Sequence, residues 1–114
     1  MKIIESSENL TVRDVYLLTN NPKSRKMGDA RGETIPVSKW CIFEDVNKKT
    51  GELQELLAID TGDEVYCTNS ATFISSFRSG RELYTQFGSD VTAIEIIEGQ
   101  SKAGRAFIDC VIAN

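Results

Sequence analysis

Apolar residues recur along this chain with two different periods, and the switch between them divides it into strands and a helix. From Thr34 to Asp45 the alternation is strand-like: Ile35, Val37, Cys41 and Phe43 fall on one face, and Pro36, Ser38, Trp40 and Ile42 on the other. Lys39 interrupts the apolar face, which predicts a bulge or a barrel rim. The turn Val46-Asn-Lys-Lys-Thr-Gly51 leads to a partner strand over Glu52 to Ile59, and Thr61-Gly-Asp63 to a short third strand over Glu64 to Thr68. The period then lengthens. Phe73, Ile74, Phe77, Arg81, Tyr84 and Phe87 recur every three or four residues, as on an amphipathic helix or on two shorter ones broken at Ser79-Gly80. Asn69-Ser70 supplies its N-cap and Gly88 its stop. From Val91 to Ile112 two β-branched runs flank Gly99-Gln-Ser-Lys-Ala-Gly104, which predicts a hairpin with a medium-length loop. In its second arm Ala106, Ile108, Cys110 and Ile112 form an apolar face, opposite Arg105, Phe107, Asp109 and Val111.

The first third is less regular. Residues 1–10 read as a flexible lead-in, polar from Glu5 onward. Thr11 suits a helix N-cap with Asp14 completing a capping box. Val12, Val15, Tyr16 and Leu18 or Thr19 would then share a face, although a strand across Val15–Leu18 fits the same residues. Asn20-Asn21-Pro22 is a stop in either case. Residues 20–33 (NNPKSRKMGDARGE) read as a long loop with little to bury, and loops of that length in small domains are often functional.

Three meandering strands, a helix and a closing hairpin follow the chain order of a five-stranded OB barrel. The expected fold is therefore mainly β: one OB-like domain over residues 1–114, with a helix between the third and fourth strands and a short N-terminal element. A chain of 114 residues is large enough for one modest core. Cys41, Cys67 and Cys110 are odd in number and lack Cys-x-x-Cys spacing, so they read as reduced core residues of a cytoplasmic protein. There is no long apolar run to span a membrane, and the start Met1-Lys-Ile-Ile-Glu does not resemble a secretory signal.

The net charge of −4 argues against a uniformly basic nucleic-acid binder, but its distribution is uneven. Residues 1–49 hold nine Lys/Arg and seven Asp/Glu, whereas residues 50–114 hold four and ten, which permits a basic patch on an acidic body. Lys23, Arg25 and Lys26 in the long loop, Lys39 in the first strand, Lys48 and Lys49 in the turn, and Lys102 and Arg105 in the last hairpin are candidate phosphate contacts. Trp40, Tyr66 and Phe107 are candidate stacking platforms. For Trp40 and Phe107 ordinary core packing is the competing reading.

Enzymatic chemistry finds little support. The chain has no His, hence no Ser-His or Cys-His pair. Gly99–Gly104 joins two strands, whereas a phosphate loop must feed a helix. Asp60, Asp63 and Glu64 lack the ligand spacing of a calcium loop. No catalytic residue, metal site or cofactor is expected.

The chain resembles the small single-stranded-DNA-binding proteins of tailed phages. The matching features are the asparagine-rich Val15–Asn21, the strand Gly32-Glu-Thr-Ile-Pro-Val-Ser-Lys-Trp40, the Tyr66-x-Thr68-Asn-Ser entry to the helix, and Glu95-Ile-Ile-Glu-Gly-Gln-Ser-Lys-Ala-Gly-Arg-Ala-Phe107. The resemblance implies an OB-like fold and sequence-independent binding of single-stranded DNA during phage replication or recombination in the host cytoplasm. Phage replication proteins and further copies of the chain are the other partners to expect. The alternative is a structural or protein-interaction domain of phage origin, using the barrel face or an edge strand to hold a protein.

Overall fold

The computed structural model describes residues 1–114. Eight strands form two sheets, with two helices packed against them. β1 (Lys2–Ser6) leads to α1 (Val12–Asn20), β2 (Arg25–Lys26) and a 3₁₀ turn (Met27–Ala30). β3 (Thr34–Pro36), β4 (Lys39–Val46), β5 (Leu53–Asp60) and β6 (Val65–Thr68) follow, then α2 (Ala71–Gln86), β7 (Ala93–Gln100) and β8 (Ala106–Ile112). The larger sheet has the order β1-β4-β5-β6-β2 and the smaller β3-β7-β8.

The single strand expected over 34–45 is two strands, one in each sheet. The chain crosses between them at Val37 and Ser38, whose N–H groups donate to Thr92 O and Asp60 O respectively. The crossing inserts one residue into the alternation. Ile35, Val37, Trp40 and Ile42 consequently share the main core, while Cys41 and Phe43 face the other side of the larger sheet. Lys39 thus marks an irregularity, as expected, but the face assignment beyond it reverses.

The meander β4-β5-β6, the intervening helix and the β7–β8 hairpin stand in the predicted order. Neither sheet closes on itself. β6 takes β2 as its outer neighbour, in parallel, with Arg25 opposite Tyr66 and Lys26 opposite Cys67, and no ladder joins β6 to β8.

α2 is one helix rather than two. Ser70 Oγ accepts from Phe73 N at its start. At its end Gly88 N donates to Thr85 O and Ser89 N to Tyr84 O, a Schellman pair for which Gly88 takes φ +71°. Phe73, Ile74 and Phe77 are buried in the main core, as the aromatic stripe predicts. Gly80 lies within the unbroken helix, where Ile112 of β8 packs so closely that a Cβ would lie 2.6 Å from Ile112 Cγ1.

Two expectations for the first third need correction. Residues 2–6 are not a loose lead-in; they form an edge strand paired antiparallel to β4, with a register shift between Ile3 and Glu5. Nor is 20–33 a loop with little to bury, because Met27 and Ala30 are fully buried. The helical reading of 12–20 holds, with Thr11 and Asp14 completing the capping box. Its buried side is Leu18, which joins Cys41, Phe43, Ala58 and Val65 in a second core on the outer face of the larger sheet; Val12 and Tyr16 are exposed.

Candidate nucleic-acid interface

The candidate residues fall into those the fold consumes and those it leaves at the surface. Trp40 is only 5% exposed, with its ring edge-on to Phe77 at 5.1 Å between centroids. Tyr66 is 6% exposed and donates its hydroxyl to Glu64 Oε2 at 2.8 Å. Both are therefore core residues rather than stacking platforms, since a base cannot reach a ring face already covered by protein. Arg25 pairs with Glu64 at 3.1 Å and lies over the Tyr66 ring at 5.5 Å. Hydrogen bonds from Tyr66 and Arg25 hold the Glu64 carboxyl below its ordinary range.

Lys39 is also committed. Its Nζ meets Asp14 Oδ1 at 2.8 Å, tying the first turn of α1 to the start of β4. That bond, with the Thr11 backbone N–H, takes the Asp14 carboxyl down to about 2. A lysine in this pair would have to surrender its carboxylate to bind a phosphate, so Lys39 is a positioning residue for α1.

Lys23, Lys26, Lys48, Lys49, Lys102 and Arg105 are exposed, and none forms an ion pair. Asn21 Oδ1 accepts from Lys23 N, and Asn47 Oδ1 from Lys49 N, so both loops are shaped by asparagine turns that leave the ammonium groups in solvent. Lys26 borders a shallow cleft of about 480 Å³ on the outer face of the larger sheet, shared with Met27, Gly28, Leu56, Cys67, Thr68 and Asn69. Asn69 Nδ2 donates to Gln54 Oε1 and so links this cleft to the β4–β5 hairpin that carries Lys48 and Lys49. On its other side the 3₁₀ turn is tied to β7 through Gly32 N to Ile96 O and through Arg31 with Glu98 at 3.8 Å. Beyond Glu98 lies the hairpin loop with Lys102 and Arg105.

Phe107 is the one predicted platform not fully consumed. It is half-buried, opposite Gly99 in the β7–β8 ladder, and its ring fills the space where a Cβ of residue 99 would be. The strands run on to Gln100 and Ala106, so Gly99 is a strand residue rather than a turn glycine. β8 is an edge strand of the smaller sheet, with β7 as its one ladder partner.

The three thiols are free, and burial raises Cys41 and Cys110 to about 12. Cys67 is half-buried in the cleft wall, pushed up by burial, and its Sγ accepts from Ser24 Oγ. These thiols are packing residues, as the spacing implies, and at neutral pH they stay protonated. No group of His, Cys, Asp or Glu is arranged to hold a metal, and no helix is long and apolar enough to cross a membrane.

What the sequence reading missed is Arg81. Its guanidinium lies over the Trp40 ring at 5.0 Å and lines a second cleft. The stripe of three- and four-residue spacings places Arg81 on the aromatic side of α2, which was the available signal. Comparison with protein-family models, with curated proteins and with solved structures returns no match.

Proposed function

We propose that this chain is a sequence-tolerant single-stranded-DNA-binding domain of OB-like type, acting without catalysis in phage replication or recombination. One observation carries the reading. Six predicted phosphate contacts remain unpaired, in a domain where Arg25, Arg31, Lys39 and Arg78 are all neutralised by carboxylates. Lys26 lines the cleft beside the larger sheet, the Asn69–Gln54 hydrogen bond links that cleft to the hairpin carrying Lys48 and Lys49, and Phe107 follows Arg105 by two residues in the last hairpin. Unpaired cations at the surface give backbone affinity without base readout. The meander–helix–hairpin order supports the OB-like assignment. A cytoplasmic location in the host agrees with three free thiols.

Fluorescence anisotropy of a labelled oligo-dT measures the binding directly. Neutralising about four phosphates gives a log–log salt slope near −3, at roughly −0.7 per contact on single strands. Affinity that ignores salt, or that is equal for duplex DNA, sinks the proposal.

A second reading, a domain that holds a protein partner, is favoured by the end of α2. Leu83 and Phe87 are 53% and 80% exposed there, beside Tyr84 and Ser89. Sedimentation of the native chain against Phe87→Ser, with no oligonucleotide binding in either, would favour this reading over the first.

A further inference from the structure

The second cleft, of about 300 Å³, lies where the β1–α1 link, the β3–β4 crossing, α2 and the approach to β7 meet. Its floor is Trp40 carrying Arg81, and its rim includes Glu8, Asn9, Ser38 and Asp90. Arg81 is half-buried, yet it makes no ion pair, although Glu8 and Asp90 line the same space. Three charged groups therefore surround one opening without neutralising one another. The walls are held in place. Ser7 Oγ accepts from Trp40 N and donates to Trp40 O. Asn114 clamps the other side: its Oδ1 accepts from Thr92 N and Ala93 N, and its Nδ2 donates to Asp90 O. Asn9 sits at the rim in a left-handed backbone conformation, φ +62°.

A ligand for this opening needs a flat face for the guanidinium and adjacent donors for a carboxylate. It must also keep its own negative charge away from Glu8 and Asp90. We propose that the cleft binds a guanine base. Among the four bases only guanine presents two neighbouring donors, N1–H and N2–H, on its Watson–Crick edge, which matches the two oxygens of a carboxylate. Adenine and cytosine offer one donor there beside acceptors that a carboxylate repels, and thymine or uracil one donor between two acceptors. Stacking on an arginine plane is an established way to hold an unstacked base. The carboxylates turn the phosphate outward, so the base enters first. The guanine comes either from a free nucleotide or from a nucleotide in a strand. The inference is independent of the single-strand reading, because the cleft shares none of the six unpaired cations.

Trp40 is the only tryptophan and supports Arg81, so its emission reports occupancy. The full chain is titrated with the 5′-monophosphates of guanosine, adenosine, cytidine and uridine, with inorganic phosphate as control. Guanosine monophosphate gives a saturable change, with at least about tenfold weaker responses to the other three, the scale of one bidentate contact. Glu8→Gln with Asp90→Asn removes that preference while leaving oligo-dT affinity unchanged. Arg81→Lys, which keeps the charge and loses the plane, weakens guanosine monophosphate. An oligonucleotide with one dG in a dT run, set against the all-dT oligonucleotide of the same length, identifies the source: tighter binding of the dG strand assigns the site to strands, and equal binding of the two assigns it to free nucleotides. Equal responses to all four mononucleotides overturn the proposal. So does no saturation by about 10 mM, a limit of very weak binding, or an unchanged preference in the doubly substituted chain.

Discussion

Phe107 and Gly99 face each other across the β7–β8 ladder so closely that a Cβ on residue 99 would lie 2.6 Å from Phe107 Cζ. The contact fixes the ring on one side and makes two substitutions informative in opposite ways. Gly99→Ala displaces the ring and costs ~1–3 kcal/mol of stability by overpacking. Phe107→Ala weakens oligo-dT binding by ~1–3 kcal/mol if the ring stacks on a base. Urea denaturation of each variant beside its binding curve separates the effects. A Phe107→Ala chain that loses stability but keeps its affinity for oligo-dT would end the stacking role.

The loop lysines should act additively on the salt dependence. Lys102→Ala reduces the slope of log affinity against log salt by about 0.7, one phosphate contact on a single strand. Lys48→Ala with Lys49→Ala reduces it by about 1.4. Lys39→Ala should leave the slope unchanged, because that ammonium is held by Asp14. Anisotropy titrations across a salt series read all three.

Acid should loosen α1 before it unfolds the rest. The Asp14 carboxyl falls from 3.8 to about 2 through the Lys39 and Thr11 hydrogen bonds. A carboxyl depressed in the folded chain contributes stability above its unfolded pKa and loses it as pH falls toward its folded one. The stability difference between the native chain and Asp14→Asn should therefore be constant above pH ~5 and shrink between pH ~4 and ~2. Denaturant midpoints at a series of pH values measure it, and a difference independent of pH would show that the pair adds nothing.

Gly80→Ala sets helix propensity against packing. Alanine favours a helix interior by ~1 kcal/mol over glycine. Its methyl, however, would meet Ile112 Cγ1 at 2.6 Å, so the net effect should be a loss of ~1–3 kcal/mol. Adding Ile112→Val removes one of the two clashing atoms and should recover part of that loss, read from the midpoint of urea unfolding.

How much of this was legible in the sequence depended on how local the cause was. The Thr11–Asp14 capping box, the Ser70 cap, the Gly88 stop and the packing of Ile108, Cys110 and Ile112 all follow from patterns within a few residues, although Ala106, expected on the same face, is exposed. The failures involve distant partners. Alternation assigned Trp40 to the face opposite Val37, because nothing nearby announces that β3 and β4 belong to different sheets. Lys39 and Arg25 looked available because Asp14 and Glu64 lie 25 and 39 residues away in sequence. Met27 and Ala30 looked like loop because their burial depends on β6 and β7. The OB-like order was readable, but closure depends on which strand reaches β6, and that choice is made by β2, a pairing too short to leave a pattern.

That two-residue parallel pairing also bears on how the protein behaves in concentrated solution. β2 is all that covers the outer edge of β6, and so small a ladder is the kind of element that opens locally without global unfolding. Each opening bares a row of unpaired amide and carbonyl groups, the template through which sheets of separate molecules join. While closed, β2 covers that edge with two charged positions, Lys26 unpaired and Arg25 held by Glu64, and charge on an outermost strand discourages a further strand from adding to it. The same short segment that lines the cleft is therefore also a guard against self-assembly, and exchange of the β6 amide that faces β2 is its clock.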